Sequence, residues 1–341
     1  MRRAAWLLAA CLLSGCGGGR DEKALNVYTW SAYFPPEVVA DFTKRTGIRV
    51  NLDTYDSNEE LLAKLQSGVA GYDLCVPSDY MVKVMIAEKL LAPLPKDRIT
   101  HLANLDGKLL DKKFDPGNVY SIPYFFGTTG IGFDRRVAGE VTSWQAVFDE
   151  KLAGRILMLD DMRECFGAAL RDAGRSCNET DPARVREAAE KLKAQKRLVK
   201  AYNSADFASI LAAGDVAVAM GYSGQLAAAV RADPARLGYV VPKEGATVWM
   251  DNLAIPAGAA HVDAAVAFID FVLEPEIGAR IVDTVSYGSA NAAARPLVRP
   301  EILNDAAVFP PDDVLARCEL MEDVGETTTL YDRLWAEVKN Q

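Results

Sequence analysis

The sequence lacks the motifs that mark the common catalytic and cofactor sites of enzymes. It has no nucleophile elbow, no Walker loop, no Gly-x-Gly-x-x-Gly run and no His-Glu-x-x-His pair. Histidine is scarce: His101 and His261 are the only two, so a histidine-based metal site or catalytic triad is poorly supplied. These absences disfavour an enzyme, and we expect neither a cofactor nor a bound metal.

Cysteine is also sparse once the N-terminal segment is set aside. The four later cysteines show no Cys-x-x-Cys spacing, which disfavours a zinc or redox motif: Cys75, Cys165, Cys177 and Cys318. A helix predicted over 166–173 would separate Cys165 from Cys177 by roughly 12–16 Å, whereas a disulfide tolerates about 7 Å between Cα atoms. We therefore predict no disulfide between that pair.

Positive charge is in deficit. The chain has 38 Lys and Arg against 47 Asp and Glu, a formal net charge of −9. Nucleic-acid binding needs clustered basic residues, so no nucleic-acid partner is expected. An acidic body is compatible with a cationic ligand.

Long apolar runs are missing apart from one near the start. Arg2 and Arg3 precede an apolar run over 4–13 that is too short to span a bilayer but is typical of a secretory signal. Ser14 and Gly15 before Cys16 resemble a bacterial lipobox, so we predict a signal peptide over 1–15, lipidation of Cys16 and a flexible tether over 16–24. An ordinary signal peptide with an incidental cysteine is the alternative. The predicted product is a periplasmic lipoprotein, anchored to the membrane by lipid alone.

After the tether the pattern alternates between strand and helix. Ser57 and Glu60 have the spacing of a capping box, and Gly47 follows an apolar helix face as a terminating glycine does. Such units imply parallel strands with right-handed crossovers and an α/β fold, which we expect in two lobes. The strands are predicted at 25–30, 49–55, 72–76, 155–159, 217–221 and 254–256, and the helices at 36–46, 61–66, 166–173 and 262–272.

Ligands of such folds gather where parallel strands end. Aromatic rings, carboxylates and hydroxyls follow several predicted strand ends and recur further along the chain, and this inventory is that of a binder of organic cations. The segments are Trp30 to Tyr33, Ser78 to Tyr80, Asp160 to Glu164, Gly221 to Ser223, Trp249 to Asp251, and Ser286-Tyr287.

Several longer motifs carry a family resemblance that covers nearly the whole mature chain. They are Val27-Tyr28-Thr29-Trp30-Ser31 through Thr46-Gly47-Ile48, Tyr72-Asp73-Leu74 to Ser78, Ser121-Ile122-Pro123-Tyr124, Pro242-Lys243-Glu244-Gly245 and Trp249-Met250-Asp251. With these motifs the chain resembles the spermidine/putrescine-binding proteins that serve ABC-type polyamine importers. The resemblance implies a two-lobed periplasmic-binding-protein-like fold of type II, in which each lobe is a mainly parallel sheet flanked by helices and a hinge joins the lobes.

The resemblance also implies the lobe boundaries and the partners. The first lobe is expected to comprise 25–128 and 254–300, and the second 129–253 and 301–341. A monomer would hold a polyamine in the interlobe cleft and deliver it to the permease and ATPase of the importer.

By position, the resemblance implies a set of ligand-binding residues: Trp30, Ser31, Tyr33, Ser78, Asp161, Glu164, Tyr222, Trp249, Asp251 and Tyr287. Three positions depart from the family pattern. Tyr222 stands where a tryptophan is usual, Met321 where some spermidine binders have glutamine, and Ala32 where an acidic residue is common. These departures leave open which polyamine is preferred.

Other interpretations of the same residues remain. Asp161 and Glu164 have the spacing of a helix cap, and Trp249 and Tyr287 could be core aromatics. For the whole chain, the alternatives are the same scaffold binding another small ligand, a polyamine sensor, and an exported lyase or hydrolase.

Overall fold

The structure is a computed structural model that describes residues 23–68 and 71–340. The predicted signal peptide and Cys16 lie outside these residues. The described strands are β1 (Ala24–Trp30), β2 (Arg49–Tyr55), β3 (Leu74–Cys75), β4 (Ser121–Asp134), β5 (Ile156–Met158), β6 (Val199–Tyr202), β7 (Val218–Tyr222), β8 (Leu237–Val240), β9 (Thr247–Ala254), β10 (Gly288–Ser289) and β11 (Glu319–Leu320).

Helices fill most of the intervals between these strands, together with short 3-10 turns. They are α1 (Pro36–Thr46), α2 (Asn58–Gln66), α3 (Asp79–Ala87), α4 (Arg135–Ala138), α5 (Met162–Asp172), α6 (Pro182–Gln195), α7 (Phe207–Ala213), α8 (Ser223–Ala232), α9 (Val262–Val272), α10 (Pro275–Val285), α11 (Pro300–Leu303), α12 (Asp312–Leu315) and α13 (Thr328–Lys339). Among the described residues, no helix combines the length and the apolar character needed to cross a bilayer.

Eight of the described strands join in one path of order β2-β1-β3-β9-β4-β7-β5-β6, while β8 and β10 pair with β4 and β11 pairs with β9. The outer strands are parallel at each end: β1 pairs with β2 and β3, and β5 pairs with β6 and β7. The two long strands in the middle are antiparallel, β4 to β9 over 121–128 and then β4 to β7 over 129–133. The α/β class is thus confirmed, with a central antiparallel pair that the strand-helix alternation did not predict.

Two hydrophobic cores flank that central pair. One gathers buried residues from 25–125 and most of 249–308, and the other gathers residues from 131–246 and 324–338. We call the parts around them the first lobe and the second lobe. Tyr222 packs against both cores, so it lies where the lobes meet. The residue boundaries given above for each lobe stay a prediction.

Local sequence signals account for several helix ends. Gly47 ends α1 in the left-handed conformation at φ 73°, and the Ser57 hydroxyl accepts a hydrogen bond from the amide of Glu60 (3.2 Å). Both ends were predicted from those residues. Helix α2 nevertheless begins at Asn58 rather than Leu61, because the residues after the cap continue the first turn.

The bounds of two predicted strands differ from those in the structure. The strand predicted over 254–256 is wrong: the ladder lies at Thr247–Ala254, and Pro256 makes only an isolated bridge to Leu91. Proline lacks the N–H that a ladder requires, which explains why the strand ends before it. The strand over 72–76 is present but reduced to Leu74–Cys75.

The four cysteines of the described chain all carry free thiols, and Cys165 and Cys177 are buried.

Candidate functional site

A cavity lies between the lobes. All ten predicted ligand-binding residues line it: Trp30, Ser31, Tyr33, Ser78, Asp161, Glu164, Tyr222, Trp249, Asp251 and Tyr287. The structure therefore brings together side chains that are distributed from one end of the chain to the other.

The sequence suggested that the site residues follow strand ends, but only some of them do. Trp30 ends β1 and Ser78 follows β3. Trp249 and Asp251 instead lie inside β9, two residues apart and therefore on one face of the strand. Tyr287 follows α10 and precedes β10. The central antiparallel strand β9 thus contributes side chains from mid-strand, whereas the parallel strands contribute at their ends.

Aromatic rings form a continuous wall around the cavity. Trp30 contacts Tyr222 at 6.2 Å between ring centroids, and Tyr222 contacts Trp249 at 5.9 Å. Trp249 in turn meets Tyr287 at 5.2 Å, and Tyr287 meets Tyr33 at 5.6 Å. Edge-to-face contacts of this kind fix each ring against the next. The wall spans both lobes, because Trp30 belongs to the first lobe and Tyr222 ends a strand of the second.

Asp251 is held by groups of the first lobe. The Tyr33 hydroxyl donates to one carboxylate oxygen of Asp251, and the Ser78 hydroxyl donates to the other at 2.6 Å. Asn58 fixes Ser78 in turn: its side-chain amide donates to the Ser78 hydroxyl and its carbonyl oxygen accepts from the Ser78 amide, both at 3.0 Å. Asp251 is 3% exposed, so this small network holds its carboxyl at a set position in the cavity.

Asp161 and Glu164 occupy the first turn of α5 in the second lobe. Asp161 caps the helix by accepting from the amide of Glu164 at 3.0 Å, and its other oxygen accepts from the Tyr222 hydroxyl at 3.4 Å. The carboxylate of Glu164 accepts from the Thr247 hydroxyl at 2.6 Å. Asp161 therefore both caps α5 and lines the cavity, because its two carboxylate oxygens accept hydrogen bonds from different donors.

The cavity carries more buried carboxyl groups than cations. Burial raises the pKa of Asp251 to about 7, and burial also raises the pKa of Asp161 and of Glu164, with the nearby Glu164 charge adding to the shift of Asp161. Arg163 is the one basic residue among the described residues that line the cavity. Desolvated carboxyls with one guanidinium among them favour a cationic guest.

Arg163 was not recognised as a cavity residue from sequence. Its guanidinium lies 5.3 Å from the ring centre of Tyr80 in the first lobe and 5.5 Å from that of Tyr331 in the second. It also donates to the carbonyl oxygen of Glu322 at 3.1 Å. Arg163 is thus part of the contact between the lobes as well as a neighbour of the carboxyl groups.

Further cavity residues were missed or set aside. Tyr80 follows a predicted strand end and could have been retained, whereas Gln225 and Ser204 had no signal that distinguished them from ordinary polar residues. Met321 lies at the cavity, as its position in the family pattern implied. The residues that line the cavity beyond the predicted ten are Tyr55, Asn58, Tyr80, Arg163, Ser204, Gln225 and Met321.

The arrangement of the cavity can bind an extended cation. Within 23–68 and 71–340, no group of three or more His, Cys, Asp or Glu side chains is arranged to hold a metal ion. Carboxylates reach the cavity from both lobes, and aromatic faces line the space between them. A cation with apolar segments between its charges suits that distribution.

Comparison with known proteins gives a consistent result. The sequence model of the family described as bacterial extracellular solute-binding protein matches residues 37–310. The spermidine/putrescine-binding periplasmic protein of Escherichia coli K12 is 38% identical over 322 residues, which cover 94% of this chain and 92% of the relative.

Solved structures agree with the sequence relatives. A protein from Listeria monocytogenes attributed to spermidine/putrescine ABC transport superposes with a TM-score of 0.89 at 36% identity, covering 93% of this chain and 99% of that one. A lipoprotein of Treponema pallidum superposes with a TM-score of 0.81 at 30% identity, covering 93% of this chain and 100% of that one. These likenesses confirm the predicted two-lobed binding-protein fold.

The buried carboxyls predict a pH dependence of stability for the ligand-free protein. The pKa of Asp251 rises from 3.8 to about 7 on folding, so between these values the folded protein binds more protons than the unfolded chain. The free energy of unfolding should therefore fall as pH rises from 4 through 7, by at least about 1.4 kcal/mol from this group, since one pKa unit corresponds to that energy. Urea unfolding at pH 5 and pH 8 measures the difference.

The variant Asp251→Asn should lose this part of the pH dependence. Asp313→Asn is the matched control, because the Asp313 side chain is 81% exposed and is not among the residues that line the cavity. A pH dependence of unfolding that is the same in the wild type and in Asp251→Asn would contradict the assignment.

Proposed function

The chain belongs to the family of bacterial extracellular solute-binding proteins, and on that premise we propose that it captures a linear polyamine, spermidine or putrescine, for an ABC importer. The observation that carries the proposal is the cavity itself. Asp161 and Glu164 of one lobe and Asp251 at the other lobe are buried around one space that aromatic rings enclose. Relatives named for spermidine and putrescine binding support the same ligand class.

Polyamine chemistry fits the charges of the cavity. Each protonated amine donates hydrogen bonds and carries a positive charge, and a carboxylate is its natural partner. At about 4 Å such a pair attracts by roughly 4 kcal/mol when the effective dielectric constant is near 20. A cation on the face of Trp or Tyr adds about 0.5–2 kcal/mol. The amines would lie at Asp251 and at the Asp161–Glu164 pair, with the methylene groups between them along the rings of the wall.

Binding to both lobes would favour the closed arrangement. A ligand that contacts both sides of a hinge shifts the population towards the state in which both contacts exist. The permease of the importer would recognise that state, and its ATPase would drive uptake. We propose that the protein acts as a monomer and catalyses no reaction itself, as its family of transport proteins suggests.

The proposed location is the periplasm, with Cys16 as a lipid anchor. The periplasmic assignment follows relatives named as periplasmic binding proteins. The lipobox-like sequence Ser14-Gly15-Cys16 supports the anchor, as does the relative from Treponema pallidum that is named a lipoprotein.

Substitution at the cavity should weaken polyamine binding without unfolding the protein. Asp251→Asn removes a charge that one amine contacts, and Trp249→Ala removes an aromatic face. A charged hydrogen bond contributes about 1.5–3 kcal/mol and a cation on an aromatic face about 0.5–2 kcal/mol, so each change should raise the Kd for spermidine and for putrescine about tenfold. Isothermal titration calorimetry measures the Kd, and a thermal melt checks folding.

The exposed variant Asp313→Asn should bind as the wild type does. A thermal-shift panel of linear polyamines, amino acids, sugars and metals tests the ligand class on the unmodified protein. The proposal is wrong if a ligand outside the polyamines gives the largest shift, or if folded Asp251→Asn binds polyamines with unchanged affinity.

Replacement of Cys16 by Ser should release the mature protein from membranes or block its processing, because the thiol is the acceptor of the lipid. Partitioning into detergent after phase separation measures the anchor. Cys11→Ser is the control, since Cys11 lies inside the predicted signal and should leave the partitioning unchanged. Normal maturation with continued detergent partitioning of Cys16→Ser would refute lipidation at that residue.

A further inference from the structure

Two aromatic rings of the cavity wall, those of Trp249 and Tyr287, pack directly against the main chain at glycine residues. Trp249 and Tyr287 meet edge to face at 5.2 Å with 79° between their planes. Behind them are Gly127 of β4 and Gly224 in the first turn of α8, where any added Cβ would collide with the rings. Neither glycine has a positive φ angle, so backbone conformation does not require glycine at either position.

Gly127 is directly opposite Trp249 in the antiparallel pair of β4 and β9. Side chains at directly opposite positions share one face of a sheet, so the Trp249 ring lies over the place where a side chain at 127 would be. A Cβ there would be 2.5 Å from Cζ2 and 2.6 Å from Cη2 of that ring, and 3.0 Å from the Ser223 hydroxyl. Glycine weakens a strand interior by roughly 0.5–1 kcal/mol relative to alanine, and here it provides the space for the ring.

Gly224 has the same relation to Tyr287. A Cβ at 224 would be 2.4 Å from Cδ1 and 2.5 Å from Cε1 of the tyrosine ring, and 2.7 Å from the carbonyl oxygen of Ser286. The two glycines come from different elements, one from a central strand and one from a helix of the second lobe, yet they support adjacent rings of one wall.

We propose that Gly127 and Gly224 are positioning residues that set the width of the ligand cavity by letting the rings of Trp249 and Tyr287 lie back against the main chain. The inference rests on the proposed function, since it assigns the cavity to a slender ligand. Neighbouring rings hold Trp249 on its other sides, Tyr222 at 5.9 Å and Tyr287 at 5.2 Å. A methyl group at 127 would therefore drive the indole into the space that the methylene chain of a polyamine would occupy.

A double-mutant cycle tests whether Gly127 acts through Trp249. Gly127→Ala should raise the Kd for spermidine about tenfold or more. In a Trp249→Phe background, which lacks the indole atoms Cζ2 and Cη2, the same glycine change should raise the Kd by less than about threefold. Such non-additivity is expected of residues in contact and not of a general loss of stability. Gly107→Ala is the matched control, because a Cβ at 107 would meet nothing within 4 Å, and its Kd should equal that of the wild type.

Unchanged affinity in Gly127→Ala, or an equal loss in both backgrounds, would overturn the inference. If Gly127→Ala does not fold, the cycle of Gly224→Ala with Tyr287→Ala decides: the glycine change should raise the Kd less in the Tyr287→Ala background, where only the contact with the Ser286 carbonyl oxygen remains, and an equal loss in both backgrounds would overturn the inference. A wild-type protein that binds neither spermidine nor putrescine would instead defeat the proposed function. In that case the near-ultraviolet circular dichroism spectrum of the ligand-free protein tests the placement of the Trp249 ring. The spectrum should change in Gly127→Ala but not in Gly107→Ala.

Discussion

Buried negative charge is the constraint around which the site is organised. Asp161, Glu164 and Asp251 are each at most 5% exposed, and the basic group that shares their cavity, Arg163, is engaged with Tyr80 and with the main chain at Glu322. Hydroxyl groups donate hydrogen bonds to each of these carboxyl groups, but hydrogen bonds from neutral donors do not offset the full cost of desolvating a charge. An entering cation supplies the missing positive charge, so the same desolvation that disfavours the ionised site alone favours its occupation.

The antiparallel pair of β4 and β9 lets both lobes contribute to that site. β4 pairs with β9 in its first half and with β7 and β8 in its second half, so a single strand belongs to both lobes. β9 presents Trp249 and Asp251 to the cavity in mid-strand. A ligand that contacts these two residues therefore binds next to the place where β4 passes from one lobe to the other.

Much of the fold and most of the site could be predicted from sequence, for identifiable reasons. The end of α1 at Gly47 and the capping residues Ser57 and Asp161 are local signals, readable within a few residues. The strand β4 escaped prediction because its residues are buried on both faces along nearly its whole length, which removes the alternation that reveals a half-exposed strand. The pairing of Gly127 with Trp249 could not be predicted from the sequence either, because it depends on the register between two strands that are far apart in the chain.

The order of the strands has a consequence for how the chain folds. The second lobe draws its core mainly from one uninterrupted stretch, 131–246, whereas the first lobe needs 25–125 together with residues beyond 249. In the sheet of the first lobe, β9 lies between β3 and β4. These two strands therefore remain unconnected until β9 has paired with both. Contacts between distant parts of a chain form slowly because a large loop must close first. The amino-terminal half, although synthesised first, would thus complete its part of the sheet only after the later stretch that supplies β9 has been made.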